Sequence, residues 1–226
     1  GEVGIQLICE FSAELFEEKT ISRWLNGIVS LLDSALQDAT QACGLLPMMS
    51  SHERERILTE WNRTEKEYAR EKTVLDLITE QARARSEAKA IQFGDSSLKY
   101  GQLIERVEQI AGALHRRGLK HGDRVGILMH RSLDLIPAIL AAWRAGALYV
   151  PMDVGFPKQR IAYILEDSNT HTIITSRDLL NLLDDGISSK ALCIEDVNET
   201  LSEKLIPATG SDNAHIIYTS GSTGKP

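Results

Sequence analysis

From Thr73 onward, short apolar runs alternate with amphipathic stretches of helical length, and this alternation restricts the fold more than any other feature of the chain. Arg124-Val-Gly-Ile-Leu-Met129, bounded by His121-Gly-Asp123, has the composition of a buried strand. Ala147-Leu-Tyr-Val150, Thr172-Ile-Ile-Thr175, Leu192-Cys-Ile194 and His215-Ile-Ile-Tyr218 are further short strands. Leu103, Val107, Ile110 and Leu114 mark one helix face, stopped by Gly118 at the C′ position. In the next helix Pro137 falls at N3 if Asp134 is the N-cap, where no intrahelical N–H bond is lost, and that helix ends near Gly146. A third surrounds Ile161, Ile164 and Leu165. A helix over Val74 to Arg83 comes before these, with a hairpin in which Ala90-Ile-Gln-Phe93 turns at Gly94-Asp95 into Leu98-Lys-Tyr100. The pattern predicts an α/β fold with a mostly parallel sheet covered by helices on both faces. Ligands of such sheets sit beyond the carboxyl ends of the strands.

The first 70 residues differ. Val3, Ile5, Leu7, Cys9 and Phe11 alternate with Glu2, Gln6 and Glu10, as in a half-buried strand. Ile21, Trp24, Leu25, Ile28, Leu32, Ala35 and Leu36 recur at helical spacing, with Thr20 as N-cap and Trp24 in the core. One strand and one helix cannot enclose a core alone. Ser50-Ser-His-Glu53 has capping-box spacing and predicts a short helix with Ile57, Leu58 and Trp61 on one side. Asn62 to Tyr68 is a polar connector.

A length of 226 residues accommodates one or two domains. The net charge of −7 leaves no basic footprint for nucleic acid or an anionic membrane. The most apolar stretch, Leu133 to Met152, contains Asp134, Pro137 and Arg144 and is unsuited to spanning a bilayer. Cys9, Cys43 and Cys193 are far apart and form no metal or redox pair, with Cys9 and Cys193 expected as buried apolar side chains in a reduced, cytoplasmic protein. The six histidines are dispersed, and Glu166 and Asp167 point about 100° apart on a helix, which rules them out as an acid/base pair. Gly1-Glu-Val-Gly is no secretory signal, and with no initial Met the chain is expected to be an internal fragment.

The strongest chemical signal is Tyr218-Thr-Ser-Gly-Ser-Thr-Gly-Lys-Pro226, where hydroxyls alternate with glycines after an apolar strand. Glycine frees the backbone to turn several N–H groups towards one point, and Thr219, Ser220, Ser222 and Thr223 add O–H donors. Such a loop suits a polyphosphate, the alternative being a surface turn of the same composition. It is not the common P-loop, because Thr219 stands where the first glycine is required and Pro226 where the magnesium-binding hydroxyl is required.

Ile216 to Pro226 resembles the phosphate-loop motif of adenylate-forming enzymes. Trp143-Arg-Ala-Gly-Ala-Leu-Tyr-Val-Pro-Met-Asp153 is similar to the Leu-Lys-Ala-Gly-x-Ala-Tyr-Val-Pro-Leu-Asp pattern of nonribosomal peptide synthetase adenylation domains. Leu98-Lys-Tyr-Gly-Gln-Leu103, Arg131-Ser-Leu-Asp-Leu135 and Leu165-Glu-Asp-Ser168 fit the same branch. Cys9-Glu-Phe-Ser-Ala-Glu-Leu-Phe-Glu-Glu18 with Thr20-Ile-Ser-Arg-Trp24 looks like the closing strand and helix of a condensation domain, although that domain's catalytic histidine motif is absent.

The resemblance implies three parts: the end of a condensation domain over residues 1–40, a linker over 41–72, and the N-terminal part of an adenylation domain over 73–226. It implies amino acid activation by ATP with Mg2+, and a neighbouring carrier domain bearing phosphopantetheine outside this chain. No nucleic acid or membrane partner is implied. The phosphate-loop residues it assigns are Thr219, Ser220, Gly221, Ser222, Thr223 and Gly224. Lys225 is a lesser candidate, since it occupies a variable position and the motif lysine belongs after Pro226. No catalytic residue and no metal ligand is assigned. The chain alone is expected to be inactive. A non-catalytic platform between domains and a piece of an acyl-CoA synthetase-like enzyme are the alternatives.

Overall fold

In the computed structural model, which describes residues 4–188, 190–198 and 208–219, the chain divides into two units, residues 1–68 and 69–226. In the first, α1 (Glu18–Gln37) begins two residues before the expected cap: Glu17 is the N-cap and Glu18 lies in the first turn, where its charge favours the helix dipole. Residues 4–11 form no strand, and Ile5 and Ile8 are exposed. Backbone in a strand must find partners on a neighbour, and among the described residues of this unit there is none. Of the expected strand and helix, only the helix is formed among the described residues. Cys9 is exposed, and Trp24 is 53% exposed, set edge-on to Phe16 with ring centroids 5.5 Å apart, so neither is a core residue. Ser50 does cap α2 (Ser51–Glu55), its Oγ accepting the Glu53 N–H at 3.1 Å. The helix then widens into a π-type turn, Arg56–Glu60, closed by Trp61 N–H donating to Arg56 O. Leu58 and Trp61 stay exposed.

The second unit opens with α3 (Val74–Ala84). Asp76 N–H donates to Thr73 Oγ1 at 3.1 Å while Thr73 N–H donates to Asp76 Oδ2 at 2.8 Å, a reciprocal cap. Strands β1 (Lys89–Phe93) and β2 (Ser96–Lys99) pair antiparallel, with Phe93 opposite Ser96 and Gly94 taking a positive φ in the two-residue turn. Tyr100 opens α4 (Tyr100–Arg116) instead of closing the hairpin. The cause is local: Gln102 Oε1 accepts the Lys99 N–H at 2.9 Å and so caps the new helix.

Strands β3 (Arg124–Leu128), β4 (Leu148–Met152), β5 (Thr172–Thr175) and β6 (Leu192–Cys193) form one parallel sheet in the order β4-β3-β5-β6. The chain passes from β3 to β4 on one side through α5 (Leu135–Arg144), then recrosses through α6 (Lys158–Asp167) to β5 on the other. Side chains divide by alternation. Val125, Ile127, Ile174 and Leu192 pack with α4 and α5, whereas Leu128, Val150, Met152 and Ile173 pack with α6. Gly126 leaves room on the α6 side, since a Cβ there would stand 2.9 Å from Met152 Cε, 3.2 Å from Ile173 Cγ1 and 3.3 Å from Leu165 Cδ2.

Asp134 is the N-cap of α5, as expected, with Pro137 early in the helix. Helices α4, α5 and α6 each end with a left-handed residue, Gly118, Gly146 and Asn169 respectively. In each case the next N–H reaches back to the third-last helical carbonyl: Leu119 to Leu114, Ala147 to Ala142, Thr170 to Leu165. This double cap turns each helix directly towards the following strand or turn.

Arg106 of α4 ties the covering layer to the sheet. Its guanidinium donates to Asp134 Oδ1 at 2.7 Å, Val197 O at 2.6 Å, Ile194 O at 2.9 Å and Gln109 Oε1 at 3.2 Å. One side chain thus holds the α5 N-cap and the chain leaving β6. Arg106→Met keeps the stem but strands two carbonyls and a partly buried carboxylate, and is expected to cost about 2–4 kcal/mol. A urea unfolding midpoint unchanged from wild type would refute that role.

Candidate functional site

The segment leading into the hydroxyl–glycine loop is held at the outer edge of β4. Tyr149 N–H donates to Ala214 O at 3.2 Å, and Ile216 N–H donates to Tyr149 O at 3.0 Å. His215 is thereby placed opposite Tyr149 in a single parallel bridge. The Trp143 indole N–H donates to the same Ala214 carbonyl at 2.8 Å, using its second lone pair. Trp143 meets Tyr149 edge-on at 5.8 Å, and Tyr149 lies 5.5 Å from the His215 ring.

The expected buried strand over His215 to Tyr218 is thus reduced to one bridge. Ile216 and Tyr218 pack on the α6 side, while Ile217 is 57% exposed. The segment sits at the edge of the sheet, where only one side of its backbone is paired among the described residues.

Tyr218 anchors the exit. Its ring packs edge-on to Tyr163, and its O–H donates to Asp167 Oδ2 at 2.5 Å. Burial first, then the Asp167 carboxylate, pushes its phenol up to about 12. Upstream, Asp212 accepts the Thr209 N–H at 2.6 Å and its hydroxyl at 3.0 Å, and faces His121 Nε2 at 3.3 Å. The Thr209 backbone bond, foremost, holds that carboxyl below its ordinary range. Gly210 permits a close backbone approach, because a Cβ there would fall 2.4 Å from Arg70 O.

Of the residues assigned to the phosphate loop, Thr219 is exposed and follows Tyr218 directly. Ser220, Gly221, Ser222, Thr223, Gly224 and Lys225 lie outside the described residues. Tyr149 and Asp153 have structural roles: Tyr149 pairs with the entering segment, and Asp153 Oδ1 accepts the Gly155 N–H at 2.7 Å to close the turn after β4. A cleft of ≈ 590 Å³ opens beside the carboxyl ends of β3 and β4, lined by Met129, His130, Leu135, Pro151, Asp153 and Val154.

Sequence reading missed two histidine–carboxylate approaches, His121 to Asp212 and His130 to Asp178 at 3.5 Å, because each joins distant parts of the chain. It also missed the Trp143 clamp. The available signal was a tryptophan, whose N–H seeks a partner, standing where the similar pattern has leucine. Among the described residues no group of three or more His, Cys, Asp or Glu is placed to hold a metal ion. Nor is any helix among them long and apolar enough to cross a membrane.

The chain has five tyrosines, and burial with the Asp167 carboxylate delays ionisation of the Tyr218 phenol. A folded value of about 12 against roughly 10 when unfolded means the contribution is intact below pH ~10 and is lost as the pH rises towards 12. Ultraviolet titration of the phenolates is expected to show one late transition that disappears in Tyr218→Phe. Retention of that transition in the variant would assign it to another tyrosine.

Comparison with known proteins agrees with this geometry. The family described as AMP-binding enzyme matches residues 78–226. A linear gramicidin synthase of Brevibacillus parabrevis is 35% identical over 99% of the chain, and a plipastatin synthase of Bacillus subtilis 36% identical over 100%. The chain spans only 4% and 6% of the length of those two proteins. Among solved structures, a four-domain nonribosomal peptide synthetase bound to AMP and glycine superimposes on 91% of the chain with a TM-score of 0.77 at 25% identity, the match covering 15% of that chain. The N-terminal subdomain of Klebsiella oxytoca NpsA, in complex with 3-hydroxybenzoyl-AMSN, covers 72% of the chain and 42% of its own with a TM-score of 0.62 at 27% identity. With the family match running from α3 through the hydroxyl–glycine loop, the chain belongs to the AMP-binding enzyme family.

Proposed function

We propose that this chain is part of a nonribosomal peptide synthetase module whose adenylation domain begins near residue 73 and activates an amino acid with ATP. The observation that carries this reading is the family match through Pro226, which includes the loop of hydroxyls and glycines. Peptide synthase relatives also align with residues 1–77, ahead of that match, which favours a synthetase over an acyl-CoA synthetase-like enzyme.

In the reaction an amino acid carboxylate oxygen attacks the α-phosphorus of ATP, forming an aminoacyl-adenylate as pyrophosphate departs. Negative charge grows on the departing phosphates, so the protein's main contribution is fixed donors that need no reorganisation. Thr219, Ser220, Gly221, Ser222, Thr223 and Gly224 supply N–H and O–H donors to the β- and γ-phosphates. Lys225 adds charge without taking the role of the motif lysine. Magnesium, when bound, would neutralise phosphate charge. The aminoacyl group would then pass to the thiol of phosphopantetheine on a carrier domain of the same cytoplasmic synthetase, with AMP as leaving group, and a condensation domain ending near residue 40 precedes the linker over 41–72.

Two experiments follow. In the full-length synthetase, Gly221→Val and Gly224→Val are expected to lower amino-acid-dependent ATP–pyrophosphate exchange by at least about a hundredfold, since a branched Cβ opposes positive φ and crowds the phosphates. Lys225→Ala is expected to do far less harm, and the opposite ranking would reverse the assignment. Limited proteolysis is expected to cut between residues 40 and 72 and leave the later part resistant. Uniform protection along the chain would remove the boundary.

A further inference from the structure

We propose that Trp143 is a positioning residue for the nucleotide loop: its indole N–H fixes the register in which residues 214–216 lie against β4. The inference rests on the adenylation reading for its functional consequence, but not for its geometry. Among the described residues three hydrogen bonds hold this segment, two exchanged with the Tyr149 backbone of β4 and one donated by Trp143 Nε1 from α5. The strand pairing is a single bridge, so the indole bond is a large share of what ties the segment down.

Trp143 is poorly explained as a packing residue alone. It is half-buried at the margin of the core and lines a cleft of ≈ 210 Å³ together with Thr73, Val74, Asp212 and Ala214. A half-exposed indole N–H can be satisfied by water. Here it reaches the one carbonyl that already accepts from Tyr149, while its ring holds the Tyr149 ring edge-on. A single side chain therefore grips both partners of the bridge. Leucine, which the similar peptide-synthetase pattern carries at this point, fills space but donates nothing. Residues 217–219 continue from the clamp directly to Thr219, and a shift of the bridge moves the start of the loop with it. Misplacement of phosphate donors by a fraction of an ångström weakens nucleotide binding before it alters the fold.

The test uses the full-length synthetase with Trp143→Phe, which keeps a ring against Tyr149 and removes the donor, beside Trp143→Leu. Deuterium exchange of the peptide containing residues 214–219 reads the clamp, and steady-state pyrophosphate exchange reads its consequence. For Trp143→Phe the expected result is roughly fivefold faster deuterium exchange in that peptide, on the scale of one lost hydrogen bond. Peptides from β3 and the Tm are expected to stay unchanged. The KM for ATP is expected to rise three- to tenfold, with the KM for the amino acid unaltered and kcat little changed. Unchanged exchange in the 214–219 peptide overturns the clamp. Faster exchange with an unchanged KM for ATP overturns its role in nucleotide positioning, and a lower Tm with both KM values raised makes Trp143 a packing residue. If the wild-type enzyme shows no ATP–pyrophosphate exchange with any amino acid, the activation reading fails, and the deuterium measurement still decides the clamp.

Discussion

Burial of β3 on both faces is the constraint from which the rest of the second unit follows. Its backbone is paired on one side by β4 and on the other by β5, and its residues from Val125 to Leu128 are shielded above and below. A parallel strand in this position needs helices on both faces, because each connection must cross the sheet and return. Helices α4 and α5 meet one demand, and α6 meets the other. The absence of a side chain at Gly126 leaves room for Met152, Ile173 and Leu165 to pack over it. The left-handed caps at Gly118, Gly146 and Asn169 let each helix reverse at once, which keeps the layers tight.

This part of the fold was legible because its signals are strong and local. Unbroken apolar runs of strand length can only be buried, and Gly118, Gly146 and Asp134 mark helix ends by mechanisms that act within a few residues. Misreadings arose where the outcome depended on partners. Alternation over residues 3–11 describes a strand only if another strand lies beside it, and residues 4–11 have none among the described residues. Trp24 has helical spacing for a core position, yet a core needs a second surface. At Tyr100, aromatic β propensity lost to the Gln102 cap one turn further on.

The candidate site divides along similar lines. Its proposed chemistry rests on Thr219 to Lys225, where glycines and hydroxyls alternate after an apolar run. Its support was not legible in the sequence. The acceptor at the centre of the clamp is the backbone carbonyl of Ala214, and a carbonyl leaves no trace in a sequence. The approach of His121 to Asp212 likewise depends on a fold that brings the α4–β3 turn to the segment before the loop.

The edge of the sheet explains why the site is built this way. An outer strand edge offers unpaired N–H and C=O groups, and proteins either cover such edges or use them. Here the edge of β4 receives residues 214–216 through two backbone bonds. Segments that must admit and release a ligand come from the less stable end of a structure, since full strand pairing would resist the motion. The three side-chain ties, Trp143 to Ala214, Tyr218 to Asp167 and Asp212 to His121, compensate by fixing separate points along the segment. The described segment is thus held by side chains at discrete points, with the two backbone bonds to Tyr149 between them.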